Sequence, residues 1–137
     1  MPLISTKGVY GLAAMHELSH HKDGSPMQIK DISVKASIPQ NYLEQLLGKL
    51  RHAGLVNSVR GAKGGYLLAK DTKDIKILDI LVALEDDLKI IDSKTNNPIL
   101  DLFFDESKIN IKKLFNVSLD KLEDYQTQYN GFLHFNI

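Results

Sequence analysis

The positions of apolar side chains predict two helices in the first part of the chain. The first begins at Ser5 or Thr6, either of which can cap it, and runs to about His20. Residues 21–26 have the composition of a turn. A short second helix follows and ends before Pro39, because the residue before a proline is disfavoured in the α region. The apolar faces of the two helices are formed by Val9, Leu12, Ala13, Leu18, Ile29, Ile32 and Ala36.

A third helix is predicted from about Pro39 to Ala53, with Gly54 as the residue that ends it. Its leucines recur with the i, i+3, i+4, i+7 spacing of a buried helix face, and they are Leu43, Leu46, Leu47 and Leu50. The remaining positions face solvent or a ligand, and they are Gln40, Asn41, Glu44, Gln45, Lys49 and His52.

Residues 55–68 predict a β-hairpin with positive charge at its tip. Two β-prone runs flank a loop that contains Gly61, Gly64 and Gly65, which permit positive φ angles and close backbone approach. Arg60 and Lys63 lie in the same loop, which has no acidic residue. The order helix, turn, helix, basic hairpin is typical of a winged helix-turn-helix. The predicted fold is therefore mainly α with a small β-hairpin, and the first hypothesis is DNA binding.

The second half of the chain carries more apolar side chain than its helices need for their own cores. A helix is predicted from Ile77 to about Asp86, then a polar loop, then a long helix that begins at Asn97-Pro98. A final short helix is predicted to start within residues 118–122, and the tail to Ile137 is predicted to be loose. We expect the excess apolar side chains to form a subunit contact, with packing inside one chain as the alternative. The predicted dimerisation residues are Ile99, Leu102, Phe103, Ile109 and Leu114.

These elements divide the chain into three predicted parts. Residues 1–86 form a winged helix-turn-helix domain, 87–96 a connecting loop, and 97–137 a dimerisation helix with a C-terminal segment. The sequence of 137 residues contains no cysteine, which excludes disulfides, thiolate-held zinc and cysteine-ligated iron–sulfur clusters. No apolar run approaches the ~18 residues that a membrane span needs, so we expect a cytoplasmic protein with no membrane partner.

Charge is distributed unevenly although the formal net charge is zero. Residues 1–73 contain ten Lys or Arg and five Asp or Glu, which gives +5, whereas residues 74–137 contain seven and twelve, which gives −5. This asymmetry indicates a basic working surface in the first part and an acidic part that faces elsewhere. Chance scatter of a small number of charges is the alternative.

The side chains of the third helix and the hairpin suit a DNA duplex. Gln40 and Asn41 can make bidentate contacts with adenine, and Glu44 can accept from the cytosine amino group. Lysine and arginine near the end of the helix suit phosphate contacts, and the hairpin cations suit the minor groove or the backbone. Each residue alone is more typical of a solvated surface, because solvent-facing charge is common, and the ordered combination carries the prediction. The predicted DNA-binding residues are Lys7, Gln40, Asn41, Tyr42, Glu44, Gln45, Lys49, Arg51, Arg60, Lys63 and Gly64.

A rival motif lies in the first helix, where His16-Glu17-Leu18-Ser19-His20 matches the H-E-x-x-H pattern of zinc peptidases. A catalytic zinc site needs a third protein ligand and an open position. The extension found in one peptidase class requires glycine where this sequence has Asp23. A pattern with two free positions also arises easily by chance. We therefore interpret the motif as a coincidence, with incidental metal binding by His16, His20 and His21 as the alternative.

Three stretches of the sequence carry a resemblance to a known family. They are Ser5-Thr6-Lys7-Gly8-x-Tyr10-Gly11, then Tyr42-Leu43-Glu44-Gln45-Leu46-Leu47-x-Lys49-Leu50-Arg51 with Ala53-Gly54-Leu55-Val56, and Ser58-Val59-Arg60-Gly61-x-x-Gly64-Gly65-Tyr66-Leu67-Leu68-Ala69. They resemble the Rrf2 family of bacterial regulators over about residues 1–86, and more weakly to about residue 122. The resemblance implies a dimeric winged-helix transcription factor with a dimerisation helix over about residues 97–115. By position, it implies base reading by Asn41 and Glu44 and a minor-groove contact by Arg60.

The sequence departs from that family where some members hold an iron–sulfur cluster. Those members place three cysteines between the helix after the wing and the dimerisation helix. This sequence has only hard oxygen ligands there, which do not hold such a cluster. They are Asp86, Asp87, Asp92, Asn96 and Asn97. We therefore predict no cofactor, and the signal, whether a small molecule, a partner protein or none, stays open.

The predicted function is a homodimeric repressor that reads an inverted-repeat operator in double-stranded DNA. It has no predicted catalytic residue and no predicted metal site. Two alternatives from other classes are a protein-interaction module with a vestigial wing and a zinc peptidase that uses His16 and His20.

Overall fold

The computed structural model describes residues 2–21, 23–92 and 94–135. The described part is mainly helical with one antiparallel hairpin, which confirms the predicted fold class. Its elements are α1 (Thr6–His20), α2 (Ile29–Ala36), α3 (Gln40–His52), β1 (Val56–Val59), β2 (Gly65–Leu68), α4 (Ile77–Glu85), α5 (Pro98–Phe115) and α6 (Leu122–Phe135), with 3-10 turns at Thr72–Asp74 and Leu119–Lys121. None of the described helices is long and apolar enough to cross a membrane.

The core lies between α1, α3 and α4 and includes the predicted leucine face of α3. Leu43, Leu46, Leu47 and Leu50 are at most 1% exposed, as the i, i+3, i+4, i+7 spacing predicts. Helices α1 and α4 approach each other closely at Gly11 of α1, where a Cβ would lie 1.9 Å from a methyl carbon of Leu84 in α4. This packing holds α3 in place, with its polar face directed away from the core.

The predicted side-chain cap of α1 is wrong. Ser5 occupies the N-cap position, but its side chain makes no capping bond to the helix. The hydroxyl donates instead to the carboxylate of Glu85, at the end of α4. That carboxylate also accepts from the backbone N–H of Gly8, so a residue from another helix satisfies the start of α1.

The hairpin pairs its two strands in a simple register, with Val56 opposite Leu68 and Val59 opposite Gly65. An isolated bridge joins β2 to the segment before α2. In that bridge, Met27 N donates to Tyr66 O at 2.8 Å, and Tyr66 N donates to Met27 O at 2.9 Å. The hairpin is therefore tied to the helix-turn-helix through β2, on the edge that does not pair with β1.

The chain after α5 returns to the core, and its last helix is longer than predicted. Leu119 is 1% exposed within the main core, and its N–H donates to the carbonyl of Ile75 at 2.7 Å. A continuous helix, α6, then follows to Phe135, so the prediction of a short helix and a loose tail is wrong for the described residues. Positions 136 and 137, which that prediction also covers, lie outside them.

The start of α5 agrees with the sequence. The side-chain oxygen of Asn97 accepts from the N–H groups of Ile99 and Leu100 at 3.0 and 3.4 Å, and Pro98 is the first helical residue. This is the combination of N-cap and proline that the sequence predicts.

Candidate nucleic-acid interface

The polar face of α3 is open to solvent. Its buried leucines fix the rotation of the helix, which leaves one side free for a ligand. Six predicted DNA-binding residues of α3 are exposed on the surface, and they are Gln40, Asn41, Glu44, Gln45, Lys49 and Arg51. The first two lie in the first turn of the helix, where a recognition helix meets base edges.

Two other predicted residues lie in more enclosed positions. Tyr42 is half-buried, and its ring contacts Tyr10 edge to face with 5.6 Å between centroids. Lys7 is half-buried in the first turn of α1. Tyr42 therefore also packs α3 onto α1, and DNA contacts by these two residues stay predictions.

The tip of the hairpin holds exposed cations on a turn that requires glycine. Arg60 and Lys63 are exposed, and Gly61 between them has a φ of 108°. Gly64 is buried: a Cβ there would lie 2.1 Å from the carbonyl oxygen of Val59, and its N–H donates to Gly61 O at 2.9 Å. Gly64 thus shapes the turn, with its N–H already engaged in that turn.

The tip rests against the residue before α2. Gln28 Nε2 donates to the carbonyl of Ala62 at 3.2 Å. Gly65 has a φ of 150°, and a Cβ there would lie 2.3 Å from the carbonyl oxygen of Met27, so glycine is needed for this approach. These contacts hold the hairpin in place as a wing. Sequence analysis missed Gln28 and Met27, because a single bridge has no periodic signal.

A further link joins the recognition helix to the wing. Arg51 Nη1 donates to Ser58 Oγ at 3.3 Å, from the end of α3 to β1. A cleft lies beside this contact, between the start of α2 and the wing, and Lys30, Arg51 and Arg60 line it. Among the described residues that line the cleft, none is acidic. The cleft is therefore a positively charged concave surface, and Lys30 is a contributor that sequence analysis missed.

The α5 face holds all five predicted dimerisation residues in exposed positions. Their side chains are between 56% and 77% exposed, and none of the described side chains of α5, residues 98–115, is buried. The five residues are Ile99, Leu102, Phe103, Ile109 and Leu114. Helix α6 adds exposed apolar residues that the prediction omitted, namely Tyr125, Tyr129, Phe132 and Leu133.

Comparison with known proteins identifies the family to which the chain belongs. The family model named Rrf2, described as an iron-dependent transcriptional regulator, matches residues 4–129. The chain belongs to the Rrf2 family. The predicted family resemblance is confirmed, and it extends beyond the stretches that carried it.

Both sequence comparison and structure comparison identify proteins that are similar to this Rrf2 chain. The transcriptional regulator CymR of Bacillus subtilis is 46% identical over 82 residues, which cover 60% of this chain and 59% of that protein. The regulator IscR of Photorhabdus laumondii is 41% identical over 83 residues, which cover 61% of this chain and 51% of that protein. The matched part thus spans about half of the length of these curated relatives.

The solved structure of CymR, the global cysteine regulator of B. subtilis, has a TM-score of 0.79 and 35% sequence identity. The superposition covers 91% of this chain and 98% of that chain. These relatives are transcriptional regulators and not enzymes, which agrees with the prediction that the chain is not a peptidase.

The residues of this Rrf2 chain do not fit an iron–sulfur cluster in the segment after α4. Asp87 binds two ammonium groups, with Lys108 Nζ at 2.8 Å and Lys112 Nζ at 3.0 Å. The hydrogen bond from Lys108, and then that from Lys112, hold the pKa of Asp87 well below its ordinary value. Asn97 in the same segment caps α5. With no thiolate in the sequence and these oxygens already engaged, no cluster chemistry follows.

Proposed function

We propose that this Rrf2 chain is a sequence-specific DNA-binding transcription regulator that binds an inverted-repeat operator as a homodimer. The observation that carries the proposal is the pairing of an exposed polar face on α3 with a basic wing held beside it. An α-helix fits the major groove, and a wing next to it reaches the neighbouring backbone or minor groove.

Base reading falls to the first turns of α3. Asn41 and Gln40 have the amide groups that pair with adenine, and both are exposed there. Glu44 lies one turn further along. Its carboxylate repels phosphate, so it can contribute to DNA binding only by accepting a hydrogen bond from a cytosine amino group. This arrangement makes α3 the element that chooses the sequence.

The wing and the end of α3 supply the charge that positions the duplex. Arg51 and Arg60 flank one cleft, and Lys63 is exposed at the tip. An arginine enters a narrow minor groove favourably because the negative potential is strongest there. Arg60 is therefore assigned to the minor groove, and Lys63 to the phosphate backbone.

The homodimer is supported by the apolar side of α5. On a helix with 3.6 residues per turn, the five predicted dimerisation residues fall within an arc of about 140°. A stripe of that width, exposed in one chain, is typical of a helix that packs against another element. A two-fold symmetric dimer that packs through α5 would carry two α3 helices, one for each half-site of an inverted repeat.

The proposal also covers the location of the protein in the cell and whether it represses or activates transcription. Binding to bacterial chromosomal DNA would place the protein in the cytoplasm. A dimer bound at a promoter would block polymerase, so we assign repression. No cofactor is part of the proposal.

The test combines a mass measurement with DNA binding. Light scattering during gel filtration should give twice the chain mass, and a shift assay should give a complex with the DNA upstream of the protein's own gene. Unlabelled DNA of unrelated sequence should not compete at equal concentration. A dimer that binds no DNA would favour the protein-interaction module instead, and a monomer would overturn the assignment of α5.

A further inference from the structure

Two histidines at the end of α1 meet a glutamate at the start of α6. His16 and His20 are separated by one helical turn and lie on one side of α1, with their rings 4.4 Å apart. Glu123 is the second residue of α6, and its Oε1 lies 2.7 Å from His20 Nε2. One ligand atom from each of the three residues lies within 4.8 Å of the others. Glu123 is the third ligand that the sequence motif did not provide.

One nitrogen of this cluster has an unmet bonding requirement. His16 Nε2 is buried, and it has no hydrogen-bond partner among the described residues. A buried polar atom of this kind is unfavourable unless a partner satisfies it. The atom belongs to a residue of the cluster, and the lone pair of a neutral imidazole nitrogen binds metal ions.

We propose that His16, His20 and Glu123 form a binding site for a divalent transition-metal ion. Two imidazoles and one carboxylate are a ligand set that holds Zn²⁺ with one position open, and the same set holds Fe²⁺. Ligand atoms around tetrahedral zinc lie roughly 3.3 Å apart, given bonds of about 2.0–2.1 Å. His20 and Glu123 are 34% and 47% exposed, which leaves their side chains room to adjust toward that spacing.

The site lies outside the segment after α4 and joins two parts of the fold that are distant in sequence. His16 and His20 belong to the helix that packs on α3 and α4, whereas Glu123 lies in the first turn of the helix that follows α5. A bound ion would thus fasten the first turn of α6 to the end of α1. The site has no reaction assigned to it, because the relatives are regulators rather than enzymes.

The competing interpretation is a simple hydrogen bond or ion pair between His20 and Glu123. That pair would account for the 2.7 Å distance but leaves His16 Nε2 without a partner. It also predicts no selective binding of metal ions. The two interpretations therefore differ in a direct binding measurement.

The test is a titration of the untagged chain with Co²⁺, whose visible d–d absorption reports coordination by the protein. We expect one Co²⁺ per chain, displaced completely by Zn²⁺ and less readily by Fe²⁺ under anaerobic conditions, as the order of ligand affinities predicts. His20→Ala should abolish the absorption, and Glu123→Gln should weaken the affinity at least about tenfold. His52→Ala, which removes an exposed histidine of α3, should bind like the parent chain.

A thermal measurement provides the second readout, since an ion that binds only the folded chain raises its unfolding temperature. We expect Zn²⁺ to raise the midpoint for the parent chain and for His52→Ala, but not for His20→Ala. The proposal would be overturned if the parent chain gave no Co²⁺ absorption. It would also be overturned if His20→Ala and Glu123→Gln both bound Co²⁺ with the same absorption and affinity as the parent chain.

Discussion

The carboxylate of Glu85 accepts two hydrogen bonds from Ser5, from the backbone N–H at 2.9 Å and from the hydroxyl at 2.6 Å. The same oxygen accepts a third bond from the N–H of Gly8 at 3.1 Å. The first N–H groups of an α-helix have no partner inside the helix, and a negative charge near them is favourable. One side chain at the end of α4 therefore fixes the start of α1.

Glu85→Gln should destabilise the fold, because it keeps the size of the side chain and removes its charge. We expect a loss of about 1 kcal/mol in the free energy of unfolding, the usual size of a capping contribution. Urea denaturation followed by circular dichroism measures this change. Asp86→Asn, at the exposed neighbouring acid, is the control, and equal stability of the two variants would show that the cap is unimportant.

Arg60→Ala should weaken binding to the operator and relax the preference at an A·T-rich position. The expected cost is ~1–3 kcal/mol, because the wing would lose its minor-groove contact. Fluorescence anisotropy titrations at a fixed salt concentration, with duplexes that differ at that position, measure both effects. Lys94→Ala, at an exposed lysine in the loop before α5, should bind like the parent chain. Equal binding by parent and Arg60→Ala would remove the wing from the interface.

Lys63→Ala should change the salt dependence of binding more than its sequence preference. Each phosphate contact adds about one unit to the slope of log K against log salt concentration, so the slope should fall by roughly one unit. Titrations at several salt concentrations give the slope, again with Lys94→Ala as the control. An unchanged slope would show that Lys63 touches no phosphate.

The pairing of Asp87 with Lys108 and Lys112 predicts a pH effect. These partners lower the pKa of Asp87 below its ordinary value of 3.8 in the folded chain. The carboxylate therefore stabilises the fold at pH values above the unfolded pKa, and this contribution is lost as the pH falls through the folded pKa. Asp87 is 44% exposed, so the contribution should not exceed about 1 kcal/mol.

The measurement is the difference in unfolding free energy between the parent chain and Asp87→Asn. This difference should be largest near about pH 6 and should shrink toward about pH 3. In a Lys108→Gln background it should be smaller at the higher pH, because Lys108 is the first partner. A difference that does not change with pH in either background would contradict the assignment.

Much of the fold follows from local patterns in the sequence. The leucines of α3, the glycine that follows it and the Asn97-Pro98 start of α5 each lie within one element, and each agrees with the structure. The length of α6 was underestimated, because a short final helix was predicted, although the apolar residues recur at helical spacing from Tyr125 to Leu133. Polar residues and Gly131 between them lower the helix propensity, which hid this signal.

Contacts between distant residues could not be predicted in the same way. Ser5 and Glu85, Met27 and Tyr66, and His20 and Glu123 come together only after the helices have packed. A single carboxylate or amide has no periodicity, so nothing in its neighbours indicates its partner. The face of α3 was therefore predictable, whereas the support of the wing and the histidine cluster were not.

The central claim is that two copies of this chain read two symmetric half-sites. Selection of bound duplexes from a random library by the untagged chain tests it most directly, because no operator has to be assumed. We predict enrichment of an inverted repeat whose half-site centres lie about one helical turn, or a multiple of it, apart. Enrichment of a single unrepeated site, or of no sequence at all, would contradict the account.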